Sequence, residues 1–312
     1  MAFSAARDPD LGSRNTEQLY VLDLDDLHVR QLATFDGPNI RPQWSPDGKQ
    51  IAFETSGGQA MFYYANSQIA VVPAGGGSPR ILTKAFDEDA NLIDWGEDGI
   101  YFSALQKTSG HLFRLNPSTG APSRISEPDR FYIAGASFTK DHRTIAGVGA
   151  MPNQFSEVFV SPVDEFAAKP LTNMAEQWKD FRIATREVVE WKSTDGTPIE
   201  GVLIKPADYD PTRKYPLLVV IHGGPTGIDL PTRGADRYYP IERGDQDKRV
   251  PPPNSYELYQ ALKDRGVPVK LVFFKGFGHQ INKPKQQRAL MDQNYEWFSK
   301  YIWGEEIQNS GQ

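Results

Sequence analysis

Through the first half of the chain, apolar residues alternate with polar ones in short runs, and the runs repeat. Four segments share one pattern: an alternating strand, a polar turn, then a shorter strand closing on a basic–apolar pair. They begin at Gln18-Leu19-Tyr20-Val21-Leu22, Gln68-Ile69-Ala70-Val71-Val72, His111-Leu112-Phe113-Arg114-Leu115 and Glu157-Val158-Phe159-Val160. Their equivalent positions Leu32, Leu82, Ile125 and Leu171 lie 50, 43 and 46 residues apart. A second element interleaves with them. Its fullest form is Trp44-Ser45-Pro46-Asp47-Gly48-Lys49-Gln50-Ile51-Ala52-Phe53, with weaker copies from Trp95 and Phe138. In the Ser-Pro-Asp-Gly turn, proline presets the first dihedral and glycine accepts the positive φ that closes a hairpin. The tryptophan before it is expected to pack between sheets. An all-β repeat of this length, four short strands each, predicts propeller blades. About three complete blades and a partial first one are expected, with Met1 onward reading as the middle of a blade.

From Met174 the period changes. Val188–Trp191 and Gly201–Ile204 read as strands around an Asp195-Gly196 turn. Leu217-Leu218-Val219-Val220-Ile221 is apolar without alternation, the pattern of a strand buried on both faces. Lys270–Phe274 reads the same way. Tyr256–Arg265 predicts a helix stopped by Gly266, with Asn254 and Glu257 at capping-box spacing. Gln286–Tyr301 predicts a final amphipathic helix with Leu290, Tyr295 and Phe298 on its apolar side.

Composition narrows the function classes. The 312 residues are 39% hydrophobic and 24% charged, an ordinary globular balance long enough for two cores. The net charge of −6, without a basic run, argues against a nucleic-acid partner. Zero cysteines removes disulfide and thiolate chemistry. No apolar stretch approaches the 18 residues of a membrane helix, so no membrane partner is expected. Met1–Asp10 has no apolar core and reads as no signal peptide; a cytoplasmic location is the default. His28, His111 and His142 fall in separate blades without metal-ligand spacing, so packing or surface roles are expected, with no metal and no cofactor. Gly75-Gly76-Gly77 reads as a hairpin turn rather than a phosphate loop. The acids between Asp87 and Asp98 read as a solvated rim.

The second half carries the chemistry. His222-Gly223-Gly224-Pro225 follows the apolar run, where two glycines let backbone N–H groups approach a developing oxyanion. Asp247 and His279 follow in that order, with one helix and one strand between them, which is the Asp-to-His step of an α/β-hydrolase triad. Asp247 would fix the tautomer of His279, and His279 would be the general base. The nucleophile belongs between the glycine loop and Asp247. That window, the 24 residues Gly223–Gln246, holds no serine and no cysteine, and no Gly-x-Ser-x-Gly occurs anywhere. A βαβ unit alone takes about 30 residues. Ser255, the sole serine between His222 and His279, stands at the start of a helix, where capping is expected.

These motifs together resemble the prolyl oligopeptidase family of serine peptidases, in particular its bacterial acylaminoacyl-peptidase and dipeptidyl-aminopeptidase branch. The residues that carry the resemblance are Trp44-Ser45-Pro46-Asp47-Gly48, Asp195-Gly196-Thr197-Pro198-Ile199-Glu200-Gly201, Lys214-Tyr215-Pro216-Leu217-Leu218-Val219, the His-Gly-Gly-Pro loop, Asp247-Lys248-Arg249-Val250-Pro251, Gly278-His279 and Trp297-Phe298. The resemblance implies a multidomain β and α/β chain. Residues 1–173 would be a partial β-propeller of three to four WD40/TolB-like blades, and residues 174–312 a truncated α/β-hydrolase domain. It implies short peptide substrates or ligands, acyl transfer through a serine ester, His279 as base, Asp247 as its orienting acid, and an oxyanion region at His222, Gly223 and Gly224. No position matches the family's nucleophile motif, so an internal loss and impaired or absent activity are expected. The alternative is a non-catalytic peptide- or protein-binding module built on the blades; a third reading is a hydrolase completed in trans. Removing middle strands of a hydrolase sheet would bare apolar faces, an aggregation hazard. The oligomeric state is open.

Overall fold

The computed structural model describes residues 1–6, 16–59, 65–126, 131–220, 227–233, 244–247 and 251–305. They fall into two compact units. The first comprises Met1–Asp210 with His222–Gly234, the second Pro211–Ile221 with Ala235–Gln312.

The first unit is built of antiparallel meanders. Strands β1 (Ala2–Ala5), β2 (Gln18–Leu22) and β3 (Val29–Gln31) form a three-stranded sheet. Three four-stranded sheets follow in sequence order. The first has β4 (Asn39–Trp44), β5 (Gln50–Thr55), β6 (Gln68–Pro73) and β7 (Arg80–Ile81). The second has β8 (Asn91–Gly96), β9 (Gly99–Gln106), β10 (Ser109–Leu115) and β11 (Pro122–Arg124). The third has β12 (Tyr132–Phe138), β13 (Thr144–Ala150), β14 (Glu157–Pro162) and β15 (Lys169–Pro170). This is the partial propeller that the repeats predict. The interleaved Trp-Ser-Pro-Asp-Gly element supplies strands one and two of a blade, and the alternating element supplies strands three and four. Each first strand also carries a bulge, at Ile40/Gln43, Leu92/Asp94 and Ile133/Gly135.

The sheets stack through alternate faces of the same strands, because successive side chains of a strand point to opposite sides. Ile51 and Phe53 pack against Leu19, Val21 and Leu32 of the three-stranded sheet. Ala52, Ile69 and Val71 of the same blade pack the other way, against Leu92, Trp95, Ile100 and Phe102. Tyr101 and Leu112 of the second blade then meet Ile133, Ile145 and Phe159 of the third. Each fully buried Phe or Ile in these layers contributes about 1.5–3 kcal/mol. Trp44 departs from its expected burial. It is 36% exposed and flanks a recess beside Val21 and Leu22, because the sheet on that side has three strands.

The repeated turn has one hydrogen-bond pattern in two blades. Ser45 Oγ donates to Asp47 Oδ1 at 2.7 Å and accepts from the Gln50 N–H at 2.9 Å. Thr139 Oγ1 repeats this with Asp141 Oδ1 at 2.7 Å and the Thr144 N–H at 3.1 Å. The hydroxyl bonds hold both the Asp47 and Asp141 carboxyls below the usual range. Gly48 takes φ +68° at the turn's left-handed position, and His142 takes the same place at +54°. His142 is a packing residue: its ring stacks on Tyr101 at 5.5 Å and its Nε2 meets Asp94 at 3.0 Å.

The unit ends in a hairpin, β16 (Thr185–Lys192) and β17 (Pro198–Lys205), closed by the expected Asp195-Gly196 turn. Asn153 pins it to the third blade, donating to the Arg186 carbonyl and accepting from the Arg186 N–H, both at 2.6 Å.

The second unit holds two α-helices among its described residues, α1 (Pro252–Asp264) and α2 (Pro284–Phe298), with a π-helical turn at Ser299–Trp303. Both helices start on proline, whose missing N–H costs nothing there. The start of α1 at Pro252 places Asn254 and Ser255 inside the first turn, so neither caps it. Gly266 ends α1 as expected, at φ +67°. Leu290 of α2 is buried, whereas Tyr295 is exposed. The two expected buried strands do not form ladders. Leu217 is 74% exposed and Leu218, Val219 and Val220 are exposed beside it. Phe274 makes a single parallel bridge to Gly244. A strand buried on both faces takes its hydrogen bonds from neighbouring strands, and no ladder flanks these runs among the described residues.

Candidate active site

Asp247 and His279 meet in the second unit. His279 Nδ1 lies 3.0 Å from Asp247 Oδ2, and the carboxylate side chain is 1% exposed against 44% for the imidazole. A carboxylate can only accept here, so the proton of the contact sits on Nδ1. In a neutral ring so oriented, Nε2 keeps the lone pair that a general base needs.

Two loops make this contact, and their backbones are joined. Gly244 bridges Phe274; the Asp245 N–H donates to the Phe274 carbonyl at 3.2 Å, and the Gln246 N–H to the Phe277 carbonyl at 3.0 Å. The Gly276 N–H donates back to Asp245 Oδ1 at 2.7 Å. Gly276 is left-handed, at φ +79°, and so turns the chain toward His279. Gly244 is required by proximity: a Cβ there would stand 1.8 Å from the Phe277 carbonyl oxygen. Behind the loops, Phe277 and Ile281 are buried. Sequence reasoning missed Asp245 and Gly244 as positioning residues. The Gly-Asp-Gln-Asp run carried the signal, since a second aspartate two residues before Asp247 suits a loop-to-loop acceptor.

His222, Gly223 and Gly224 lie outside the described residues, as do Lys248, Arg249 and Val250. Ser255 sits in the first turn of α1 and lines an apolar cavity of about 440 Å³ with Leu258, Leu262, Leu290 and Trp297. Among the described residues no cluster of His, Asp and Glu could hold a metal ion.

Residues 241–305, which contain Asp247, His279 and both helices, match the model of the prolyl oligopeptidase family. Over that segment the chain is similar to the family. The match is sustained outside the segment. Dipeptidyl-peptidase 5 of Schizosaccharomyces pombe is 23% identical over 232 residues, covering 71% of this chain and 32% of that protein. Dipeptidyl-peptidase 5 of Porphyromonas gingivalis is 25% identical over 202 residues, covering 61% and 28%. The chain thus spans about a third of the length of the curated relatives it matches. Among solved structures, the acylaminoacyl peptidase of Pyrococcus horikoshii is similar over 73% of this chain and 34% of its own, with a TM-score of 0.56 at 18% identity. That likeness is one of fold: blades followed by part of an α/β-hydrolase.

Proposed function

We propose that this chain is a serine-peptidase descendant that keeps the acid–base half of the triad and lacks the acyl-transfer half. Its domains are a partial propeller over 1–173 and an incomplete hydrolase over 174–312. The observation that carries the reading is the Asp247–His279 contact at 3.0 Å, set against a preceding window of 24 residues without serine or cysteine. In acyl transfer, the base takes the nucleophile's proton as the oxygen–carbon bond forms, and returns it to the leaving amine. Asp247 and His279 supply the proton handling. Nothing between Gly223 and Gln246 supplies a thiol or serine hydroxyl to acylate. The ligands of such a chain are short peptides or acyl-peptides, the class that its relatives' names give, bound without efficient turnover.

Incubation of the full chain with a fluorophosphonate, followed by intact mass, tests the reading. The expected result is no adduct, together with no burst of product from an activated ester. A stoichiometric adduct that disappears in His279→Ala would overturn it. A second reading is a peptide- or protein-binding module in which the pair is idle, resting on blades whose cores are packed without the second unit. Its mark is a protein partner or longer peptide that binds saturably and keeps its affinity in both His279→Ala and Arg233→Gln.

A further inference from the structure

The first unit contains a recess of about 710 Å³ that neither the blades nor the acid–base pair explains. It opens where the loop after β13, the 3-10 turn Met174–Trp178 and the segment ending at Arg233 come together. We propose that this recess binds a carboxylate attached to an apolar or aromatic body, such as the C-terminal residue of a short peptide.

One wall is aromatic. Phe155 and Trp178 stack at 5.3 Å with 12° between their planes, and Phe181 follows Trp178 at 5.5 Å. Phe181 is 62% exposed, although burial would be its ordinary fate. A stacked ring wall open to water is an apolar contact surface for a flat or branched group.

Arg233 supplies the charge. Its position is set by the backbone rather than by an ion pair. The Arg233 N–H donates to the Gln154 carbonyl at 2.8 Å, the Asn153 N–H donates to the Pro231 carbonyl at 2.8 Å, and Phe155 bridges Arg233. The guanidinium has no hydrogen bond or ion pair among the described residues, and its Nε is buried without a partner. The two terminal nitrogens of the guanidinium, unpaired among the described residues, match the two oxygens of a carboxylate. The acid that lines the recess, Glu157, is already engaged. Glu157 accepts from the Thr172 hydroxyl and from the N–H groups of Met174 and Ala175, and these bonds keep its carboxyl below the usual range. Glu176 pairs with Lys179. Neither is left to neutralise Arg233. Rings on one side and an unpaired planar cation on another select for an apolar carboxylate over a bare inorganic anion.

Calorimetric titration of the full chain with N-acetyl-L-phenylalanine and with its C-terminal amide tests the assignment. The acid is expected to bind saturably, and the amide about tenfold or more weakly, the size of a lost charge-assisted bidentate contact. Arg233→Gln should bring the acid down to the amide and leave the amide unchanged. Phe181→Ala should weaken both several-fold, and His279→Ala neither, which separates this site from the acid–base pair. Equal binding of acid and amide to the unaltered chain overturns the proposal without any variant. So does retention of the acid's affinity in an Arg233→Gln protein that melts like the parent. Inorganic phosphate binding as tightly as the acid, with no effect of Phe181→Ala, also overturns it by reducing the recess to a general oxyanion site.

Discussion

A carboxylate withdrawn from water between two blades needs donors to hold it there, and Glu54 has them. Its side chain is 5% exposed, and Oε1 accepts from the Leu92 N–H of the next blade at 2.6 Å and from Arg41 at 2.9 Å. Burial pushes its pKa up, more than the Arg41 charge and the Leu92 N–H pull it down. A carboxyl raised on folding penalises the native state at pH values above its folded pKa. The penalty fades as pH falls toward the unfolded value, where both states are protonated. Glu54→Gln keeps an acceptor for Leu92 and removes the charge. It is expected to melt at or above the parent at pH 8, with the gap closing toward pH 4 in a thermal-melt series. Glu54→Ala strands the Leu92 N–H instead, and is expected to lose about 1–3 kcal/mol in urea unfolding at pH 7. The contrast with the blade turns explains what sequence reveals at this scale. Ser45, Asp47 and Gly48 satisfy one another within a few residues, so their roles are legible from spacing. Glu54 answers to an amide 38 residues away, and no local pattern announces it.

Among elements, the decisive ones for the site are two short loops rather than helices or strands. The Gly244–Asp247 loop and the loop from Phe274 to His279 fit only because position 244 has no side chain. Gly244→Ala is expected to force them apart at a cost of about 1–3 kcal/mol. The downfield Nδ1–H resonance of His279 should then be lost, while the melting of the blade unit stays as in the parent. Asp245→Ala removes the acceptor of the Gly276 N–H, and should broaden that resonance without abolishing it. The pairing of Asp247 with His279 was readable because an acid and a histidine in that order are residue types at intervals. Their support was not, because a backbone bridge leaves no pattern in side chains. The same gap misplaced two strands. Leu217–Ile221 and Lys270–Phe274 have the composition of buried strands, but a strand is completed by its neighbours, and composition does not count neighbours. At α1 the Asn254 and Glu257 spacing lost to Pro251 and Pro252, whose fixed φ sets the helix start.

Over the whole molecule, burial is unevenly divided. The blade unit carries three interlocking apolar layers, whereas the buried apolar side chains described in the second unit are Phe277, Ile281 and Leu290. Calorimetry should therefore resolve two transitions, the second unit melting first. Hydrogen exchange should find the amides of α1 and α2 opening well before those of β5 and β9. A single cooperative transition would contradict that division. The exposed run Leu217–Val220 adds a consequence for the chain's life in a cell. Four consecutive aliphatic side chains in water form the signal by which quality-control systems tell unfinished proteins from finished ones. Aspartate at positions 217 and 219 would lengthen its half-life without touching the blades.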